Sequence, residues 1–126
     1  MKINLLVVDD SPDITETIKA LLEEESGDYK VVIAESGEEC LKLLNENLNP
    51  DAIIMDIMMP GMDGMETYER IRENDKWSKI PVLFLTARTD QFAEGAGNFL
   101  GDDFIKKPFE IDDLKVRIEQ AIDRYK

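Results

Sequence analysis

Histidine is missing from this sequence altogether. Its absence removes imidazole metal ligands, a Ser-His-Asp triad and any phosphohistidine formed on the chain itself. Cysteine occurs once, at Cys40, which excludes an internal disulfide and fits a reducing cytoplasm. Cys40 sits beside Leu41 on a helical pattern, where a small buried hydrophobe is expected. Basic residues are scarce, 15 against 28 acids for a net charge of −13, and such a surface repels a phosphate backbone, so direct nucleic-acid binding is not expected. No apolar run reaches the ~18 residues of a membrane span. Met1-Lys2-Ile3-Asn4 leads straight into a strand pattern, which argues against a signal peptide. There is no GxxxxGK[ST] string and hence no P-loop.

What is present is a regular alternation of two periods. Ile3 to Val8 and Ala52 to Met55 are continuous apolar runs, the pattern of strands buried on both faces of a parallel sheet. Between them, Ser11-Pro12 offers a helix start, Ile14, Ile18, Leu21 and Leu22 recur at helical spacing, and Gly27 suits the exit. Tyr29 to Ala34 predicts a second strand. Ser36 with Glu39 forms a capping box for a helix carrying Cys40, Leu41, Leu44 and Leu48 inward, ended by Asn49-Pro50. Asp63 with Glu66 opens a third helix with Met65, Tyr68 and Ile71. Ile80 to Leu85 predicts a fourth strand, with Pro81 tolerable only near its start. Residues 90–101 give a weak helical pattern interrupted by Gly95 and Gly97, each costing about 1 kcal/mol relative to alanine. A fifth strand over 103–107 and a closing helix with Ile111, Leu114, Ile118 and Ile122 complete the chain. The expectation is one α/β domain over residues 1–126, a five-stranded parallel sheet sandwiched by helices.

The ends of the strands carry the chemistry. Asp9 and Asp10 close the first run, Asp56 the third, Thr86 the fourth, and Lys106-Lys107 the fifth. In open parallel sheets the working site lies at the carboxyl ends of the strands. Clustered carboxylates there suit Mg²⁺, which takes one or two carboxylates, waters and phosphate oxygens. One carboxylate can act as the nucleophile toward a phosphoryl group, while a hydroxyl and a lysine hold its remaining oxygens. Any one such residue alone is more often a solvated loop residue; the convergence of four strand ends is the informative part. The methionines at 55, 58, 59, 62 and 65 read as loop packing, since thioethers prefer soft ions.

Val7-Val8-Asp9-Asp10-Ser11-Pro12, Met55-Asp56-Ile57-Met58-Met59-Pro60-Gly61-Met62-Asp63-Gly64, Leu85-Thr86-Ala87 and Lys107-Pro108-Phe109, in this order and spacing, closely resemble the receiver domain of two-component response regulators. The resemblance covers essentially the whole chain. It implies a doubly wound, three-layer flavodoxin-like (βα)5 fold of strand order 2-1-3-4-5. It makes Asp56 the phosphoacceptor and an Mg²⁺ ligand, Asp10 a direct Mg²⁺ ligand, Asp9 a ligand acting largely through water, and the Met58 backbone carbonyl the third protein ligand. Thr86 would bond a phosphoryl oxygen, Ala87 would leave it room, and Lys107 would hold the phosphate, with the Lys107-Pro108 bond cis. Phe104 occupies the place of the aromatic switch residue; a ring without a phenolic hydroxyl, it reads equally as a plain core aromatic. The implied partners are a sensor histidine kinase or a histidine phosphotransfer protein, with an output domain or partner protein served by the face around residues 89–125. A phosphorylation-dependent homodimer is a further expectation of the resemblance, and no membrane partner is expected.

Met58 and Arg88 stand two residues beyond Asp56 and Thr86, where their bulk is expected to flank the water that attacks an aspartyl phosphate. The sequence departs from the family's pattern between Thr86 and Lys107, about one residue short near Leu100-Gly101-Asp102, which puts the fourth helix and the usual output surface in question. Rival functions fare worse. A haloacid dehalogenase-type, Mg²⁺-dependent aspartyl-phosphate enzyme needs a second acid where Met58 stands, and a flavin-binding protein needs a Ser/Thr/Gly-rich loop after the first strand. A phosphorylation-independent receiver-like scaffold would normally have lost Asp56, Thr86 or Lys107. The chemistry expected is self-directed, so the chain is not an enzyme in the ordinary sense.

Overall fold

The computed structural model describes residues 2–86, 103–106 and 109–125, with the backbone alone at Thr86, Asp103 and Lys106. Strands β1 (Ile3–Val8), β2 (Tyr29–Ala34), β3 (Ala52–Asp56), β4 (Val82–Thr86) and β5 (Asp103–Lys106) form one parallel sheet in the order β2-β1-β3-β4-β5. This is the expected flavodoxin-like order. Alternation along the strands sends Leu5, Val7, Ile54, Leu83 and Leu85 to one face, under α1 (Pro12–Lys19) and the closing helix α4 (Ile111–Arg124). Leu6, Val8, Ile53, Met55, Val82 and Phe84 fill the other face, under α2 (Gly37–Asn45) and α3 (Gly64–Glu73). Both faces are covered, which is why the strands read as unbroken apolar runs rather than as alternations. Cys40 lies in the second layer with no exposure, and burial pushes its thiol up to about 12, so it packs as a hydrophobe.

Several element ends differ from the sequence expectation, each for a local reason. The second helix stops at Asn45, not at Asn49-Pro50. Asn47 turns left-handed (φ 74°), its amide donates to the Leu44 carbonyl at 3.1 Å, and the Leu48 amide donates to the Leu43 carbonyl at 3.1 Å. That pair of bonds is a Schellman stop with asparagine in the usual glycine position. The fourth strand begins at Val82 and reaches Thr86, two residues later than its expected start. Pro81 has no N–H to give; its carbonyl accepts from Ile53 N at 2.9 Å, while the Ile80 amide turns back to the Trp77 carbonyl at 3.0 Å. The fifth strand is described to Lys106, and Lys107 lies outside the described residues. So does the weak helix expected over 90–101.

The first helix runs on past Lys19 as a π-helical stretch, Ala20–Ser26, closed by Gly27 at φ 76° with its amide on the Leu22 carbonyl at 3.2 Å. The stretch lays two side chains along the outer edge of β2. The Val31 amide donates to Glu23 Oε2 at 2.7 Å, and Lys19 Nζ donates to the Val31 carbonyl at 2.8 Å and to Glu23 Oε2 at 3.3 Å. An edge strand otherwise offers such groups to another chain, so the Lys19–Glu23 pair acts as an edge cover. The bond from Val31, aided by Lys19 and opposed by burial, holds the Glu23 carboxyl below its ordinary value of 4.5. A carboxylate with a depressed folded pKa contributes stability above that ordinary value and loses it as the pH falls through the folded one. Glu23→Gln is therefore expected to lower stability by about 0.5–1 kcal/mol at pH 7. The difference should shrink as the pH falls from 4.5 through the lowered folded value; urea melts at pH 7 and at a descending series of acid pH values check it, and a difference that never shrinks would show the charge to be irrelevant.

Candidate functional site

Register brings the two acidic segments level. Val8 of β1 pairs with Met55 of β3, so the residues that follow them, Asp9 and Asp56, leave the sheet side by side. With Asp10 they offer carboxylate oxygens that all lie within 4.8 Å of one another. Asp9 is 1% exposed and Asp56 7%, whereas Asp10 is open to solvent. Each buried acid is fixed by the chain just beyond it. Asp9 Oδ1 accepts from the Ser11 amide at 2.9 Å, and Asp56 Oδ1 accepts from the Met58 amide at 3.4 Å.

Ser11 works differently from the expected side-chain cap. Its hydroxyl makes no capping bond; its carbonyl accepts from the amides of Ile14 and Thr15, both at 3.1 Å, while its own amide is spent on Asp9. The start of α1 is thereby tied to the acid rather than capped independently. The other two expected caps are present: Ser36 Oγ accepts from the Glu39 amide at 3.0 Å and Asp63 Oδ1 from the Glu66 amide at 2.9 Å. The reciprocal bond from Glu39 goes one residue earlier than in a capping box, to the Glu35 amide at 3.1 Å.

The loop after β3 folds back tightly. The Gly64 amide donates to the Ile57 carbonyl at 2.9 Å. A Cβ on Gly64 would strike the Asp56 carbonyl oxygen and come within 2.9 Å of Ile57 Cα. The sequence marks Gly64 only as a turn residue; its actual role is to let α3 begin directly against the backbone of Asp56. The signal was there in Asp63-Gly64 at a helix start, but the close approach is a tertiary fact. Along this loop Met59 is buried, while Met58, whose amide bonds Asp56, is 60% exposed.

Of the other expected site residues, Thr86 ends β4 opposite Lys106 of β5. Phe104 pairs with Phe84, the ring centroids 6.0 Å apart, and is half-buried against the layer under α2 and α3. Ala87, Arg88, Lys107 and Pro108, with the expected cis Lys107-Pro108 bond, lie outside the described residues.

Three carboxylates brought together, two of them buried, repel one another unless a cation shares them. Their donor atoms are all hard oxygens, the set a small divalent ion prefers. The arrangement therefore fits a metal such as Mg²⁺.

Comparison with known proteins agrees with this geometry. The family described as the response regulator receiver domain matches residues 5–119. The response regulator Rre1 of Synechocystis is 39% identical over 97% of this chain and 52% of its own length. Thus the chain spans about half the length of such curated relatives. Among solved structures, the receiver domain of Francisella response regulator 1452 superposes with a TM-score of 0.84 at 32% identity, covering 99% of this chain and all of that one (100%). The receiver domain of a Pseudomonas aeruginosa sensor histidine kinase, described with a magnesium ion coordinated in its active-site cleft, gives a TM-score of 0.86 at 27% identity over 98% of this chain and 99% of its own.

Proposed function

Because this chain belongs to the response regulator receiver domain family, we propose that it is a phosphorylation-activated switch whose phosphoacceptor is Asp56. The observation that carries the reading is the convergence of Asp9, Asp10 and Asp56 within 4.8 Å at the ends of β1 and β3. An oxygen of the Asp56 carboxylate attacks the phosphorus of a phosphohistidine on a sensor kinase or phosphotransfer protein. The P–N bond breaks, its electron pair returns to the donor's imidazole, and that ring takes up a proton. Asp10 directly, Asp9 through water and the Met58 carbonyl would hold Mg²⁺, which when bound neutralises the carboxylates and the charge on the phosphoryl oxygens. Thr86 and Lys107 would take the remaining phosphoryl oxygens.

The reaction is self-directed: the domain accepts one phosphoryl group and later loses it to water, so it turns over no independent substrate. Its setting is the cytoplasm, where kinases of this kind present their phosphohistidine. Among the described residues no helix is long and apolar enough to cross a membrane. The signal leaves through the surface at β5 and α4, toward an output domain, a partner protein or a second phosphorylated copy.

The test is incubation with Mg²⁺ and acetyl phosphate followed by intact-mass measurement. One labile phosphoryl group should appear and should be suppressed by chelator; its absence, or its indifference to chelator, sinks the proposal. The lifetime of that adduct probes Met58, whose exposed side chain stands two residues beyond Asp56, together with Arg88. Met58→Asn with Arg88→Glu is expected to shorten it about tenfold, a change of 1.4 kcal/mol in barrier; equal lifetimes would clear both residues of any part in hydrolysis.

A further inference from the structure

Arg72, on the last turn of α3, is used in an unusual number of ways for a helix-surface arginine. Its Nε donates to the Tyr68 hydroxyl at 3.2 Å, Nη1 to the Ile80 carbonyl at 2.8 Å and Nη2 to the Tyr125 hydroxyl at 3.2 Å. The guanidinium also lies over the Tyr68 ring, 4.7 Å from its centroid, and 6.0 Å from that of Tyr125. Tyr125 caps the C-terminal end of α4, so this one side chain joins α3, the turn that leads into β4 and the end of the closing helix. A planar fork that both donates and stacks is a use lysine cannot reproduce.

The contact does not stop there. The Tyr68 ring rests on the buried Phe84 ring at 5.5 Å, and Phe84 rests on Phe104 at 6.0 Å. Phe104 therefore backs Phe84, Phe84 backs Tyr68, and Tyr68 is the plate on which the guanidinium lies. We infer that Arg72 is a latch holding the end of the closing helix to α3, loosened when the Phe104 ring moves. The coupling to phosphorylation rests on the proposed phosphoacceptor and on the switch place that the family resemblance implies for Phe104. If that ring withdraws toward the strand ends, Tyr68 loses the support behind Phe84, and the stacked guanidinium loses its flat partner. Tyr125 would then be released at the end of the closing helix.

The reporter is the Tyr125 amide, which donates to the Ile122 carbonyl at 3.1 Å. In hydrogen-exchange measurements on the unmodified protein, Arg72→Met is expected to speed its exchange about tenfold. Amides of β1 should not change. Tyr125→Phe, which keeps the ring but loses the hydroxyl, should give a smaller acceleration of about threefold. Phe104→Leu should accelerate the same amide without touching Arg72. With Mg²⁺ and beryllofluoride, the unaltered protein should show the acceleration and the Arg72→Met protein no further one. An unchanged Tyr125 amide in Arg72→Met overturns the latch. A beryllofluoride adduct seen on Asp56 by fluorine resonance, with no response at Tyr125, overturns the coupling while leaving the phosphoacceptor reading intact. If no adduct forms, the phosphoacceptor reading fails, and the coupling then stands or falls on Phe104→Leu alone.

Discussion

Asp56→Asn should reduce acetyl phosphate labelling to background while the fold remains intact. Asparagine is nearly isosteric, and its side-chain oxygen can still accept the Met58 amide that now reaches Asp56 Oδ1. What it lacks is the anionic oxygen that attacks phosphorus. Asp10→Asn should behave differently. It leaves the nucleophile in place but removes one charge from the trio, so labelling should survive at a higher demand for Mg²⁺, by about tenfold or more in the concentration needed for half the yield. Intact-mass measurements across a Mg²⁺ titration separate the two variants. If Asp56→Asn still takes up one labile phosphoryl group, the acceptor is elsewhere; if Asp10→Asn leaves the titration unmoved, Asp10 holds no metal.

Among the described glycines, Gly64→Ala is expected to have the largest effect on stability. The added methyl would land on the Asp56 carbonyl, and backbone cannot swing aside as the tip of a side chain can. Overpacking of this kind costs about 1–3 kcal/mol, and the upper part of that range is expected here. Gly27→Ala is the control. At Gly27 nothing lies within 4 Å of the new carbon, and only the left-handed backbone at φ 76° objects, for about 1 kcal/mol. Urea melts should therefore rank Gly64→Ala below Gly27→Ala, and acetyl phosphate labelling should fall in the first alone, because the methyl displaces the residue that carries the nucleophile. Equal stability, or normal labelling in Gly64→Ala, would mean that the loop relaxes and that the close approach is not needed.

The parallel sheet and the acidic cluster were legible because each depends on signals that survive in one dimension, whereas the strand order came from the family resemblance. Apolar runs such as Leu5 to Val8 and Ile53 to Met55 can be satisfied only by burial on both faces, and both runs hand directly to an aspartate. Element ends were less legible. At Asn47 a left-handed asparagine replaced the glycine that usually announces a helix stop, and at Ser11 the backbone of Asp9's turn took over the cap. Such substitutions exchange one hydrogen-bonding group for another of similar energy, so composition cannot distinguish them.

The sequence by itself determined which strands would be buried on both faces and which carboxylates would meet. Those follow from hydrophobic burial and donor chemistry, which are properties of residue type. The tertiary structure alone decided that Gly64 must lack a side chain, that Glu23 and Lys19 cover the edge of β2, and that Arg72 reaches Tyr125 across 53 residues of chain. Each of these rests on distances between segments remote in sequence. Such distances are set by how the layers pack, and no local pattern encodes them.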